Sequence, residues 1–469
     1  MTALGLIRTG TPVPCPPVTR FELTPDAWRA LAAALPAQPE LVFIALWADA
    51  AQVHALFWCG APLLASVPVE AGLYAALSSA RPGAALFERA VADLWGHQAA
   101  DARDVRPWLD HGTWPLLRPL SDRPAPNAGA PEVPEMAERD GDRIGWGPLP
   151  PLPTPLASGP AHWRAAVAGD MVTALEARLG YAHRGITGLM RGKSPPGAAR
   201  LAARINGAAT VAHSTAFARA VEAALDTAIP PRAAALRTIL GAVERVAVTL
   251  HDLHETAEAC DLHAPELQAA REELLAACDA CFGHRLLLDV VRPGGVHTEP
   301  RAIEVLDAAL ALVPDPVLRW PRLGVLPVSD ALALAPGGAV GRASGLRDLR
   351  HAAATVASGG DVATRMALRA EAVAVDVALA RAGLGVLPAG VAQTVPGHGS
   401  AEGLGVADGP QGPVWHWVRM AGGLVSASFA ADPAWLHLPA FEAASVGASL
   451  DTLPGIAASF GLHLAGMEL

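Results

Sequence analysis

Cys278 and Cys281 have the spacing of half a zinc site, with His284 three residues further on. A structural zinc takes four sulfur or nitrogen ligands, and no second CxxC or HxxxH pair follows. Both cysteines lie on the apolar stripe of a helical pattern, which makes them small core residues. His251 and His254 are three apart, with Asp252, Glu255 and Glu258 around them. On a helix these read as one polar face turned to solvent or a partner. Glu244 and Arg245 are adjacent, so their side chains diverge by about 100° on a helix and form no ready pair. Nucleophilic and nucleotide chemistry find no support: there is no GxSxG elbow and no GxxxxGK[ST] loop. Gly403-Leu404-Gly405 lacks the third glycine and the strand–helix setting of a dinucleotide fingerprint.

The elements that would position these residues fall into two groups. Residues 41–47 and 54–58 are short apolar runs with polar or glycine boundaries, hence strands. Residues 63–69 supply a third, which Pro68 would confine to an edge. Apolar residues at 87, 90, 91, 94 and 95 have helical spacing. Ten prolines then crowd 121–160, predicting an extended connector. Beyond it, 163–176 reads as a hairpin turning at Gly169-Asp170. Helices are predicted over 241–260, 264–282 and 361–382, and the stretch from 413 onward is mixed. The predicted fold class is α+β: a small α/β domain (1–120), a linker (121–160), and a mainly helical bundle with a small β element (161–469).

Composition narrows the function classes. With 35 basic and 45 acidic residues, there is no basic stripe to neutralise a phosphate backbone, so no nucleic-acid partner is expected. Apolar residues make up 52% of the chain, enough for a large core. No apolar run is long enough to span a bilayer, and residues 1–10 carry no apolar core ahead of a cleavage site. Five scattered cysteines suit a reducing compartment. The protein is therefore expected in the cytoplasm, or peripheral to a membrane through partners.

Longer stretches carry a family resemblance. Phe87-Glu88-Arg89, Asp93-Leu94-Trp95-Gly96-His97 and Asp104-Val105-Arg106-Pro107-Trp108-Leu109 resemble the C-type peripheral subunit of respiratory complex I. The run Asp110-His111-Gly112-Thr113-Trp114-Pro115-Leu116 is closer to the version fused to the large subunit of formate hydrogenlyase-type, group 4 [NiFe] hydrogenases. His162-Trp163-Arg164 and Arg178-Leu179-Gly180-Tyr181-Ala182-His183-Arg184-Gly185 resemble that large subunit itself, which is homologous to the D-type subunit of complex I. Glu244-Arg245-Val246, Arg292-Pro293-Gly294-Gly295, Arg342-Ala343-Ser344-Gly345, Asp432-Pro433 and Ser459-Phe460 continue the match in order.

The resemblance implies a membrane-associated complex with an iron–sulfur small subunit and antiporter-like membrane subunits as partners, on the cytoplasmic side of the inner membrane. A [4Fe–4S] cluster would lie in the small subunit, with a quinone as an optional acceptor and no cofactor held by this chain. The family places its first cysteine pair where this sequence has Asn206 and Ala209; a second pair would follow Ser459-Phe460, and the sequence ends at Leu469 before one. No catalytic residue and no metal ligand is therefore expected. The quinone-flanking tyrosine and histidine of complex I fall at Gly207 and near Thr154. Arg184 is the residue expected to face the partner's cluster, with His183 and His213 as further cavity candidates. Glu244 and Arg245 are expected at a buried interhelical interface. Glu88 and Arg89 are expected to contact the second domain or a partner.

Overall fold

A computed structural model describes residues 1–129, 136–137, 141–146 and 159–468. The sheet of the first unit comprises β1 (Thr11–Cys15), β2 (Val18–Glu22), β3 (Val42–Ala48), β4 (Gln52–Trp58) and β5 (Pro62–Pro68). They form one sheet in the order β1-β2-β5-β4-β3, antiparallel except where β2 meets β5. The strand expected at an edge, β5, is therefore interior. Its partner β2 reaches only Leu64–Ser66, so Pro68 lies past the end of that ladder and owes it no N–H. The prolines of β1, Pro12 and Pro14, sit on the true edge, where a missing donor costs nothing. The apolar face of helix α1 (Ala85–Trp95), with Phe87, Val91 and Leu94, is buried as its spacing predicts. Glu88 and Arg89 make their hydrogen bonds within this unit, and Arg89 also faces a cleft it shares with Glu442 of the second domain. Glu88 accepts the N–H groups of Leu77 and Ser78, while Arg89 donates to the carbonyls of Arg106 and Pro107.

The second sheet joins β6 (Asp142–Trp146), β7 (His162–Ala168) and β8 (Met171–Arg178), with the turn at Gly169-Asp170. A strand thus emerges inside the proline-rich stretch that reads as pure connector, because 142–146 lies in its longest proline-free run and pairs with β7. Four longer helices follow: α2 (Thr210–Ala224), α3 (Pro231–Ala259), α4 (Pro265–Phe282) and α5 (Val362–Gly385). A third sheet, β9 (Glu402–Asp408), β10 (Pro413–Ala421) and β11 (Leu424–Ala431), leads into α6 (Ala434–Ser445) and α7 (Leu453–Phe460). Gly403 and Gly405 let β9 press against α2: a Cβ at either would lie 2.1 Å from a carbonyl oxygen of that helix. The fold is α+β. Among the described residues, no helix is long and apolar enough to cross a membrane.

Apolar packing runs continuously from the first sheet into the third. Phe87 stacks on Trp435 at 4.5 Å, and Trp47 on Phe429 at 5.1 Å. Through this core passes a buried ionic network. Arg20 on β2 donates to both oxygens of Glu402 on β9, at 2.9 and 3.0 Å. Arg419 on β10 binds Glu402 and also Asp49, the latter at 2.7 Å. Asp49 in turn lies 3.0 Å from Nε2 of His54. Burial alone would raise the Glu402 carboxyl, but Arg20 and Arg419 hold it below the ordinary range. Asp49 is likewise held low, by His54 and Arg419 against burial.

Removing one partner from such a network strands a buried charge, so Glu402→Gln should cost about 3–5 kcal/mol in denaturant unfolding. Carboxylates with depressed folded-state values stabilise fully above about pH 4 and lose that contribution as pH falls. The acid limb of the stability curve should therefore shrink in the same variant; an unchanged limb would remove Glu402 from the ion-pair account.

Candidate functional site

The loop between residues 204 and 209 is held by its own side chains. Asn206 is 2% exposed; its Nδ2 donates to Asp432 Oδ2 at 2.9 Å, and its Oδ1 accepts the N–H of Ala208 at 3.0 Å. The second oxygen of Asp432 accepts the N–H of Ala434 at the start of α6. His213, one turn into α2, places Nε2 3.0 Å from Asp432 Oδ2 and Nδ1 3.0 Å from Nε2 of His416. A carboxylate can only accept, so His213 donates through Nε2, and its Nδ1 shares one hydrogen bond with Nε2 of His416. Burial, and then His213, keep the His416 ring well below the ordinary imidazole range. Burial would raise Asp432, yet the His213 bond and the other donors leave it depressed. The methyl of Ala209 packs with Ala212, Ala216, Ala407 and Val414.

Glu244 on α3 points under the N-terminus of α2. Its two oxygens accept the N–H groups of Val211 (2.5 Å) and Ala212 (2.9 Å), the position where a helix leaves donors unpaired and favours negative charge. Burial outweighs these bonds and pushes the carboxyl up to about 7. Arg245 diverges as expected, pairing with Asp376 of α5. Both side chains lie between helices, as the resemblance implies.

Beside this cap opens a cavity of about 280 Å³. One wall is the α3 face that carries Glu244, Ala247, Val248 and His251; the facing wall comprises Arg271, Leu275 and Cys278 of α4. Arg285, Leu287, His463 and the 206–208 loop close it. The polar face expected around His251 divides in two. His251 lines the cavity, whereas Asp252, the next residue, is 3% exposed and ion-paired with Arg369 at 2.8 Å. Gln411 and His463 also reach Asp252. Cys278 and Cys281 are buried on α4, and desolvation pushes their thiols up to about 12 and about 11. Among the described residues, no cluster of three His, Cys, Asp or Glu is arranged for a metal ion.

None of the three expected cavity residues lines this cavity. His213 is fully buried in the Asp432 chain. His183 stacks on Trp114 and binds the carbonyl of Glu468. Arg184 sits behind the loop and donates to the carbonyls of Arg204 (2.6 Å), Ile205 (2.7 Å) and Ala465 (3.2 Å). Gly207 stands at the cavity rim, and Thr154 lies outside the described residues. His251 and Glu244 share one helix face at a spacing of seven, a signal present in the sequence; the arrival of His463 and Arg285 is not.

The raised Glu244 value has a measurable consequence. The folded protein holds this proton more tightly than the unfolded chain, whose value is about 4.3. That stability is full below the unfolded value and is lost as pH rises to about 7, at up to roughly 1.4 kcal/mol per pH unit. Glu244→Gln should flatten the stability slope in this window by up to one proton. Parallel slopes for variant and parent, in denaturant unfolding from pH 4.5 to 7.5, would exclude it.

Comparison with known proteins agrees with this architecture. A family model described as nickel-dependent hydrogenase matches residues 184–254, which span Arg184, the 204–209 loop, α2 and most of α3. The chain is 27% identical over 390 residues to formate hydrogenlyase subunit 5 of Escherichia coli, covering 73% of this chain and 68% of that protein. It is 25% identical over 326 residues to membrane-bound hydrogenase subunit alpha of Pyrococcus furiosus, covering 59% and 75%. The D-type subunit of the NADH-quinone oxidoreductase of Brucella ovis is 30% identical over 149 residues, or 31% and 37%. The order of the motifs and these matches support a group 4 [NiFe]-hydrogenase or complex I D-type large-subunit assignment for the chain.

Proposed function

We propose that this chain is a large-subunit homologue without a nickel–iron centre, acting as a docking and shaping subunit of a membrane-associated, complex I-like or hydrogenase-like oxidoreductase. The observation that carries this is the Asn206–Asp432–His213–His416 chain. Nickel and iron in this family's setting require soft thiolate ligands. At the first pair of positions stand an amide with both ends engaged and a methyl in an apolar cluster, so the residues present do not fit the metal group. In this reading a buried hydrogen-bond chain, engaged at every link up to His416 Nε2, stands in place of the thiolates, while the scaffold around it remains.

In this reading residues 1–120 are the C-type unit and 161–469 the D-type unit, joined by the 121–160 linker. The face around the 204–209 loop docks the iron–sulfur small subunit, and antiporter-like subunits anchor the complex on the cytoplasmic side of the inner membrane. Arg184 holds two segments of that face by their carbonyls. Its fixed positive charge would favour the reduced state of a nearby [4Fe–4S] cluster and so support electron transfer. A quinone acceptor is less well served, because Gly207 offers no hydroxyl and His213 is enclosed.

Purification of the tagged protein from its native membranes, with mass spectrometry of what accompanies it, tests this directly. An iron–sulfur protein and membrane subunits in fixed ratio are expected; a chain that runs alone would sink the docking role. Asn206→Cys with Ala209→Cys should give no hydrogen turnover, and measurable turnover would overturn the non-metal reading.

A further inference from the structure

The cavity beside Glu244 is enclosed by apolar groups in its depth and by cations at its mouth. Val243, Ala247, Leu275, Cys278 and Leu287 are all buried and form the floor. At the rim, Arg271 and Arg285 share a single carboxylate, Glu272, with Arg271 donating to it at 2.6 Å and Arg285 taking the other oxygen. Two guanidinium groups against one carboxylate leave one positive charge unbalanced. Each guanidinium also has most of its five N–H donors free of Glu272. The other ionisable groups of the lining add little negative charge to compete. Glu244 is committed to two backbone N–H groups, and burial holds the His251 ring below its ordinary value. The volume, about 280 Å³, lies at the small end of organic-ligand sites. It suits one ring or branched chain with a single substituent.

We propose that this cavity binds a small organic monocarboxylate, its apolar body over Ala247, Leu275 and Leu287 and its carboxylate at the Arg271–Arg285 rim. The inference rests on the reading that the 206–209 loop carries no metal, which leaves the adjoining space to an organic molecule. One carboxylate matches the unbalanced charge, and the apolar floor gives inorganic phosphate nothing to bury. The apolar floor selects a body over a bare carboxylate such as acetate, because each buried methylene contributes about 0.8 kcal/mol.

Isothermal titration of the purified full chain with benzoate tests this. Saturable 1:1 binding is expected, at least tenfold tighter than that of neutral, equally shaped benzamide, and not displaced by inorganic phosphate. Arg271→Gln and Arg285→Gln, both at the partly exposed rim, should each weaken benzoate about tenfold. Ala247→Leu should abolish binding by filling the floor with every charge intact. No saturable binding, equal binding of benzamide or of a neutral quinone such as duroquinone, or benzoate affinity unchanged in both arginine variants would each overturn the proposal. The outcomes separate from those of the docking reading. A chain that purifies with its partners and ignores benzoate refutes only the ligand; one that binds benzoate and runs alone refutes only the docking.

Discussion

Asp432 accepts hydrogen bonds from Asn206, His213 and the backbone of Ala434, and the two side-chain donors come from segments far from it in the chain. A carboxylate enclosed in apolar surroundings is tolerable only when its lone pairs are filled. That requirement locks the 204–209 loop, the first turns of α2 and the start of α6 to one point. It also shapes the chain near its end: a Cβ at Gly466 would fall 2.3 Å from Asp432 Cγ, so that segment passes directly over the carboxylate. Arg184 also bonds this segment and the loop, through the carbonyls of Ala465 and Ile205. Amide, imidazole and guanidinium groups thus hold the loop, the helix and this segment to one another.

The same rule operates elsewhere in the molecule. Glu402 between Arg20 and Arg419 joins the first sheet to the third. Glu222 takes both arms of Arg237, tying α2 to α3. Asp252 with Arg369 does so for α3 and α5. Each is a desolvated carboxylate whose partner lies on a different element, so each specifies how two elements sit together. Glu244 differs because it is satisfied by backbone rather than by a cation, and its proton is correspondingly easier to regain. It also borders a space large enough for a small molecule, which sets it apart from the carboxylates enclosed in ion pairs.

Much of the fold is legible along the chain. Apolar runs with polar or glycine boundaries located β3 and β4, helical spacing located α1 and α4, and Gly169-Asp170 marked its turn. The motif order gave the family resemblance. Reading failed where a residue's meaning depends on a neighbour distant in sequence. Pro68 looks like an edge signal until the length of β2 is known. Asp252 looks like part of a solvated face until Arg369 arrives from α5, 117 residues away. The motif marks Arg184, but its bonds to the carbonyls of Arg204, Ile205 and Ala465 emerge only in three dimensions.

The sequence by itself determined most of the longer elements, which family they resemble, and that amide and methyl side chains stand at Asn206 and Ala209. Those properties follow from side-chain direction and residue identity, which are set within a few residues. Only the tertiary structure decided which polar groups meet: Asn206 with Asp432 across 226 residues, and His463 with Asp252 across 211. Such pairings arise because burial desolvates every polar group it encloses, and the packing of remote segments determines which partner is at hand when the water is lost.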